Sequence, residues 1–280
     1  MIRIIALVLF LLQSDLYLPL MTNRANPPSR CVAKSSGSIW DYQRIFGIDC
    51  YLTWGTNGVV NETPLQRQHG IWKLRYATCD MAYYNWGGIE GKFSFWDVLD
   101  EVPVDYGGWL ATFNEPDLPP PQCNGEPSRI AWAWHLLERA RPAAMLLCPA
   151  VSHIDYHNGW AWYKAWMRQH YLAFGEFPDC AAGAVHWYDN ARNPALMLQS
   201  YKTMLCSFGN CNVPIFITEY GAVDGGDLCE MLRAWENDPA VVAHFYYSGD
   251  HTALSLLEDG EITATGEAYL ACIAGLESKP

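Results

Sequence analysis

The chain has 280 residues, of which half are hydrophobic and 17 % are charged, and its net charge is −12. This hydrophobic content is enough to bury the core of one barrel-sized domain or of two ordinary domains. An acidic chain poor in Lys and Arg is unsuited to binding phosphate backbones or anionic membranes, so we exclude nucleic acid as a partner.

The first segment, residues 1–22, has the pattern of a signal peptide or an N-terminal anchor. The basic residue Arg3 precedes the apolar run Ile4–Leu12, which matches a signal-peptide hydrophobic region and is too short to span a bilayer. We favour a cleaved leader, with an uncleaved anchor as the alternative, and expect no stable membrane insertion after its removal. Residues 23–45 are rich in Pro, Ser and Asn and are predicted to be irregular, and residues 46–280 are predicted to form one domain.

The ten cysteines all lie downstream of the leader, which permits up to five disulfides in an exported chain. Cys206 and Cys211 are the easiest local pair to propose, whereas Cys148 lies in an apolar run and could remain a buried thiol. No Cys/His spacing indicates zinc. The sequence therefore predicts a secreted or cell-wall-associated protein, which we expect to be a monomer.

From residue 107 onward, short apolar runs alternate with helical patterns. The strands predicted in this half are Trp109–Phe113, Ala144–Leu147, Ala181–Trp187, Val213–Thr218 and Val241–Tyr247. The helices predicted between them are Ser128–Arg141, Trp160–Tyr171, Pro194–Leu205 and one with Leu228, Met231, Leu232 and Trp235 on one face. Such alternation at regular intervals is typical of repeated βα units.

The first half fits this alternation less well. Tyr51–Gly55, Ala82–Trp86 and Phe93–Val98 are candidates for three earlier strands, but the last leaves little room for a helix before Trp109. The sequence thus predicts an α/β fold consisting of a single (β/α)₈ TIM barrel, with at least one degenerate βα unit in the first half.

Two glutamates end two of the predicted strands. Glu115 follows Asn114 and precedes Pro116, and proline cannot donate to a sheet ladder, so the strand must stop there. Glu219 ends the later apolar run. Barrel enzymes carry their active sites at the C-terminal ends of the strands. Two carboxylates in such positions suit a retaining glycosidase, with Glu115 as acid/base and Glu219 as nucleophile.

Other polar and aromatic residues are predicted at the same strand ends. Asn114 could hydrogen-bond a sugar 2-OH, and Tyr188 could hydrogen-bond the nucleophile. His186 could tune the nucleophile or touch substrate, although a buried structural histidine is the alternative. The remaining candidates for substrate binding at these ends are Asn85, Trp86, Tyr246 and Tyr247.

One predicted loop contains residues of the kind that bind metals. Asp155 with His153 and His157 could in principle bind a metal, but these residues lie in a predicted loop. We therefore predict no metal site and no cofactor, because acid/base hydrolysis requires neither.

Five segments give the chain a family resemblance. They are Tyr84–Gly87, Phe113–Leu118, Val185–Tyr188, Ile217–Gly221 and Ser255–Gly260. In these the chain resembles the clan A glycoside hydrolases, and within them the endo-β-1,3-glucanases of glycoside hydrolase family 128. The resemblance implies double-displacement hydrolysis of β-1,3-glucan with retention, by Glu115 and Glu219. It also implies that Gln122 and Asn124, which follow the Asn-Glu-Pro motif, bind substrate.

Two alternatives stay open. A clan A hydrolase acting on another β-glycan would share both glutamates. A catalytically silent carbohydrate-binding protein of the cell wall could use the same barrel, although Glu115, Glu219 and Asn114 are all intact. In each case the expected partner is a polysaccharide.

Overall fold

The structure is a computed structural model that describes the greater part of the chain. The described residues are 28–34, 39–52, 72–76, 83–86, 89–92, 102, 104–119, 123, 125–154, 159–188, 193–222, 227–248 and 253–278. The predicted leader over residues 1–22 and the predicted strand Phe93–Val98 lie outside them.

A parallel sheet of eight strands forms the centre of the described fold. Its strands are β1 (Ser29–Lys34), β2 (Cys50–Leu52), β3 (Trp72–Tyr76), β6 (Trp109–Ala111), β7 (Met145–Leu147), β8 (Gly183–Trp187), β9 (Ile215–Tyr220) and β10 (Val241–Ser248). They lie in the order β7-β6-β3-β2-β1-β10-β9-β8. Two hairpins stand apart from this sheet, β4 (Tyr83–Trp86) with β5 (Ile89–Lys92), and β11 (Leu257–Glu258) with β12 (Glu261–Ile262).

The two edge strands of this sheet, β7 and β8, contact each other. The N–H of Cys148 donates to the carbonyl of Ala182 at 2.8 Å, and the N–H of Ala181 donates to the carbonyl of Leu146 at 2.9 Å. A disulfide between Cys148 and Cys180 lies beside these bonds. The edge strands are therefore joined both by hydrogen bonds and covalently.

Six described helices accompany the strands. They are α1 (Ile39–Phe46), α2 (Pro127–Ala140), α3 (Gly159–Phe174), α4 (Pro194–Ser207), α5 (Leu228–Asn237) and α6 (Ala264–Glu277). Side chains cap three of them: Asn193 accepts hydrogen bonds at the start of α4, Asp227 at the start of α5 and Thr263 at the start of α6. None of the described helices combines the length and apolarity needed to cross a bilayer.

The buried core divides between the two faces of the sheet. On β1, Val32 packs in the cluster that contains the helix residues, whereas Cys31 and Ala33 belong to a second cluster made only of strand and loop residues. This is the alternation expected of a strand buried on both faces. In the second cluster Trp109 and Phe216 lie with their ring centroids 4.9 Å apart. Phe245, Leu52, Leu147 and several alanines belong to the same cluster, so this face of the sheet is packed with apolar side chains.

The parallel α/β architecture expected from the sequence is confirmed, together with the βα order from β6 to β10. The irregular segment expected over 23–45 is wrong in part, because β1 and α1 lie there. The sequence does not indicate β1, because its buried residues are a cysteine, a valine and an alanine between polar flanks. The predicted strand at 82–86 pairs antiparallel in the β4–β5 hairpin instead of joining the central sheet.

The cysteines form more bonds than the sequence could assign. Four disulfides are described: Cys31–Cys50, Cys148–Cys180, Cys206–Cys211 and Cys229–Cys272. The local pair proposed from the sequence is confirmed. The buried thiol considered for Cys148 is wrong, because its partner Cys180 comes close only when β7 and β8 meet.

A charged network ties the start of the sheet to the last two helices. Arg30 of β1 contacts both carboxylate oxygens of Glu236 on α5, at 2.5 and 3.0 Å, and also reaches Glu277 on α6 at 2.6 Å. His244 lies 3.7 Å from Glu236. Burial alone would raise the pKa of Glu236, but its contacts with His244 and Arg30 outweigh burial and lower that pKa from 4.5 to about 2.

Because the pKa of Glu236 is lowered in the folded protein, the free energy of unfolding should fall in acid. The contribution of Glu236 should be present above about pH 4.5 and lost as the pH falls toward about 2. We expect Glu236→Gln to lower the free energy of unfolding by about 2 kcal/mol at neutral pH, with a smaller difference from the wild type in acid. Urea unfolding across this pH range measures the difference in unfolding free energy between variant and wild type, with the exposed Glu267→Gln on α6 as control. A difference independent of pH would contradict the lowered pKa.

Candidate active site

Glu115 lies at the end of β6 in a strained backbone conformation. Its φ is +43°, in the left-handed region that residues other than glycine adopt at a cost of roughly 1–2 kcal/mol. Its N–H donates to the carbonyl of Ala150 at 2.7 Å, which ties this turn to the segment after β7. The residue is only 8 % exposed. Such strain is typical of functional positions, because the surrounding structure must hold the residue there.

Asp117 fixes the same turn from the other side. Its two carboxylate oxygens accept hydrogen bonds from the N–H of Ser152 at 2.9 Å and from the Ser152 hydroxyl at 2.7 Å. Burial raises the pKa of Asp117, while both bonds to Ser152 act in the opposite direction. The sequence predicts no role for Asp117, although it directly follows the Asn-Glu-Pro motif, nor for Ser152, which belongs to no motif.

Glu219 is turned toward Glu115 by a bulge in β9. Val185 of β8 pairs with Ile217, but the next residue, His186, pairs with Glu219, so Thr218 is an extra residue in β9. The pairing with β10 shifts over the same stretch. Ile217 packs on the helix side of the sheet, and strand alternation alone would send Glu219 to that side too. The bulge therefore re-aims the carboxylate to the opposite face.

His186 lies between the two glutamates and is fully buried. Its Nδ1 is 3.0 Å from Oε1 of Glu115, and its Nε2 is 3.5 Å from Oε1 of Glu219. Burial acts to lower the pKa of His186, but the charge of Glu219 and the hydrogen bond to Glu115 outweigh it, so the pKa is raised. A protonated imidazole has an N–H on each nitrogen and can face both carboxylates at once.

Aromatic side chains border this cluster. The Tyr188 hydroxyl donates to Oε2 of Glu219 at 2.8 Å. Burial raises the pKa of Tyr188 well above its ordinary value, and the charges of Glu219 and Glu115 add to the effect, so the hydroxyl keeps its proton. The rings of Tyr247 and His153 meet the Tyr188 ring edge-on, with centroids 5.9 and 6.2 Å away.

The structure brings together Glu115, Glu219, His186, Tyr188 and Tyr247 from the predicted site. Asn114 is next to Glu115 and is partly exposed. His186 is fully buried and also contacts both glutamates.

Tyr246 is not part of this group. It is buried on the helix side of β10, against Tyr220 and Tyr269. Adjacent residues of a strand face opposite sides, so only one of Tyr246 and Tyr247 can reach the site. Asn85 and Trp86 lie in β4, whose side chains are outside the description, as are Gln122, Asn124, Asp155 and His157.

Glu115, His186 and Glu219 could also hold a cation. One ligand atom from each lies within 4.8 Å of the other two. The hydrogen bond between His186 and Glu115 already uses one of these atoms. The same three side chains therefore form a hydrogen-bonded acid–base cluster without a metal.

Comparison of the sequence with protein-family models gives one match. Residues 73–269 match the family described as "Glycosyl hydrolase catalytic core", a stretch that includes both glutamates. A parallel α/β fold with two buried glutamates at its strand ends suits a glycoside hydrolase, in agreement with this match. The chain belongs to the glycosyl hydrolase catalytic core family. The enzyme class expected from the sequence is confirmed, whereas the comparison with curated proteins gave no match.

Solved structures with the same fold come from three subgroups of glycoside hydrolase family 128. An endo-β-1,3-glucanase of Amycolatopsis mediterranei, in complex with laminaritriose, is 19 % identical with a TM-score of 0.61 and covers 87 % of this chain and 99 % of its own. The endo-β-1,3-glucanase of Sorangium cellulosum is 19 % identical, with a TM-score of 0.62 and coverage of 87 % and 98 %. A curdlan-specific exo-β-1,3-glucanase of Blastomyces gilchristii, in complex with glucose, is 19 % identical, with a TM-score of 0.59 and coverage of 87 % and 99 %. The family resemblance seen in the sequence thus extends to the fold.

The raised pKa of His186 predicts how stability varies with pH. A protonated His186 stabilises the fold fully below its unfolded pKa of 6.5, and this contribution is lost as the pH rises through the raised folded pKa. His186→Asn keeps an N–H that can donate to Glu115 and removes the charge. We expect its loss of unfolding free energy, measured in urea between about pH 5.5 and 9, to shrink as the pH rises.

A second histidine provides a control of opposite sign. Burial lowers the pKa of His244, so its neutral form contributes stability that is present above pH 6.5 and lost below it. The loss caused by His244→Asn should therefore grow as the pH rises. The same trend in both variants would show that the pH effect does not come from His186.

Proposed function

We propose that this protein is a secreted, retaining endo-β-1,3-glucanase in which Glu115 is the acid/base and Glu219 the nucleophile. The observation that carries the proposal is the pairing of these two buried carboxylates across His186. A carboxylate oxygen of each lies within 4.8 Å of the other. Retaining enzymes have carboxyl groups about 5–5.5 Å apart, and inverting enzymes need more room for a water.

In the first step, Glu115 protonates the glycosidic oxygen while a carboxylate oxygen of Glu219 attacks the anomeric carbon. The C–O bond to the leaving sugar breaks with its electron pair on the departing oxygen. Glu219 becomes a neutral ester and Glu115 becomes a carboxylate. In the second step, Glu115 removes a proton from water, and the resulting hydroxide displaces Glu219 with overall retention.

His186 and Tyr188 suit this exchange of charge. The two glutamates carry one negative charge in total before and after the first step, but the charge moves from Glu219 to Glu115. His186 contacts both carboxylates and can face the charge on either side. Tyr188 donates to the oxygen of Glu219 that His186 does not contact, which fixes the orientation of the nucleophile.

The choice of substrate is supported by the proteins that share the fold. Two of the similar structures are described as endo-β-1,3-glucanases and one of these holds laminaritriose. A third is described as an exo-β-1,3-glucanase, so the same fold hosts both modes of cleavage. A partly exposed Asn114 beside the acid is suited to binding a sugar 2-OH.

Two further features of the protein belong to this proposal. The hydrogen bonds and the Cys148–Cys180 disulfide between the edge strands support a closed (β/α)₈ barrel. The four described disulfides support an exported, extracellular protein, because such bonds persist in oxidising compartments.

The substrate is tested with a panel of glycans: linear β-1,3-glucan, β-1,3/1,6-glucan, mixed-linkage glucan, cellulose and mannan. We expect wild type to release a ladder of oligosaccharides from the β-1,3 polymer, and Glu219→Ala to reduce kcat by a factor on the order of 10⁴–10⁶. The surface variant Glu261→Ala is the matched control and should retain activity. Glucose as the only product would indicate exo action. Activity on another polymer would show that this polymer, and not β-1,3-glucan, is the substrate. Binding without hydrolysis would favour a silent carbohydrate-binding protein.

The nucleophile is tested by chemical rescue. In Glu219→Ala the space left by the carboxylate can admit azide, which attacks the anomeric carbon once and gives a glycosyl azide of inverted configuration. We expect azide to restore part of the turnover on an activated β-glucoside, with the product identified by NMR. Full activity of this variant without azide would remove Glu219 from the nucleophile role.

The acid is tested by varying the leaving group. Glu115→Gln keeps the shape of the side chain and should lower kcat on β-1,3-glucan by roughly 10²–10⁴. The loss should be smallest on substrates whose leaving group needs no proton, such as dinitrophenolate. Equal losses across leaving groups, in a variant whose folded state is intact by circular dichroism, would contradict the acid role.

A further inference from the structure

A second group of ionisable side chains lies between helices α2 and α3, outside the active-site cluster. His135 and Glu138 come from α2, and His170 comes from α3. One ligand atom from each residue lies within 4.8 Å of the other two, and Nε2 of His170 is 4.0 Å from Oε2 of Glu138. Two imidazoles and one carboxylate make a donor set that suits zinc.

The orientation of His170 is fixed, and one of its nitrogens is left without a hydrogen bond. Nδ1 lies 2.8 Å from the backbone carbonyl of Glu176. A carbonyl can only accept, so Nδ1 carries the proton and Nε2 presents its lone pair. Nε2 is buried without a hydrogen-bond partner and faces Glu138. A histidine that ligates a metal usually donates its other N–H to such a carbonyl or carboxylate, which fixes the tautomer.

The two residues on α2 are spaced to face the same partner. His135 and Glu138 are three residues apart, which places them on one face of the helix. The His135 ring stacks on Phe174 with centroids 3.8 Å apart, and the same Phe174 ring meets His170 at 4.9 Å. Phe174 thus holds both imidazoles against one apolar surface.

The charge around the group favours a cation. Burial lowers the pKa of both His135 and His170, which keeps the imidazoles neutral and able to ligate. Burial is the main cause of the raised pKa of Glu138. Hydrogen bonds from the Trp134 side chain and the Asp179 backbone act in the opposite direction, whereas the charges of Glu176 and Asp179 add to the effect of burial. The guanidinium of Arg139 near His135 is the opposing charge. A divalent cation would offset the excess of acidic groups.

We propose that His135, Glu138 and His170 bind one Zn²⁺ ion, which joins α2 to α3. A water completes the tetrahedron. Ligand atoms in such a site lie roughly 3.3 Å apart, because zinc binds nitrogen and oxygen at about 2.0–2.2 Å. The ligand atoms lie within 4.8 Å of one another, with 4.0 Å between His170 and Glu138, so zinc binding requires them to approach by up to about 1.5 Å. The ion takes no part in the glycosidase reaction, because the two groups share no residue.

The test uses the whole secreted protein, stripped with EDTA and titrated with ZnCl₂ by calorimetry. We expect one Zn²⁺ per chain and a rise in Tm of about 5 °C or more at saturating zinc. Co²⁺ in place of zinc should give the visible d–d absorption of a tetrahedral site with nitrogen ligands. His135→Gln, Glu138→Gln and His170→Asn should each abolish the absorption and the rise in Tm. His170→Asn is the sharpest variant, since its amide N–H can still donate to Glu176.

Controls separate this site from the active site and from loss of folding. Glu261→Gln, an exposed substitution, should bind zinc as the wild type does, and the three helix variants should retain their activity on β-glucan. Zinc binding that survives in all three helix variants and disappears in Glu219→Gln would place the ion in the active site and overturn the proposal. Absence of zinc and cobalt binding by the wild type would overturn it as well.

Discussion

Two acidic side chains and one imidazole share a space almost closed to water, and this constraint governs the rest of the site. Glu115 is 8 % exposed, Glu219 is 4 % exposed and His186 is fully buried. A buried charge is costly unless it is paired, so each of the three groups needs the others in place. Glu115 reaches this histidine through its left-handed backbone conformation, and Glu219 reaches it through the bulge in β9.

The fold could be predicted from the sequence where the elements are local and repeated. From β6 to β10 the strands are short apolar runs separated by four helices, and the sequence predicts all five strands and the helices between them. The sequence does not predict β1 and β3. Their apolar runs are short, and these segments form strands because they pair with strands elsewhere in the chain. Cys148 shows the same limit, since its disulfide partner is brought near only by contact between the two edge strands.

The sequence predicts which strand ends carry candidate site residues, but which of these side chains face the site depends on the three-dimensional structure. Both glutamates and Tyr188 were visible because they end apolar runs. That Tyr247 and not Tyr246 faces the site depends on the register of β10, which apolar content alone does not reveal. The His135–Glu138 spacing is readable on one helix, but its third member, His170, lies on the next helix and becomes a neighbour only through packing.

The position of β1 has a consequence for the order in which the protein matures. β1 lies between β2 and β10, and Arg30 pairs with His244 more than two hundred residues later. At typical synthesis rates of 5–20 residues per second, β10 emerges roughly 10–40 s after β1. Until then β1 has one open edge, while its link to β2 is secured by the Cys31–Cys50 bond over 19 residues. The sheet can be completed only when β10 has emerged. A chain that terminates before β10 would therefore expose an unpaired edge of β1, which can pair with another chain, and its sheet would be incomplete.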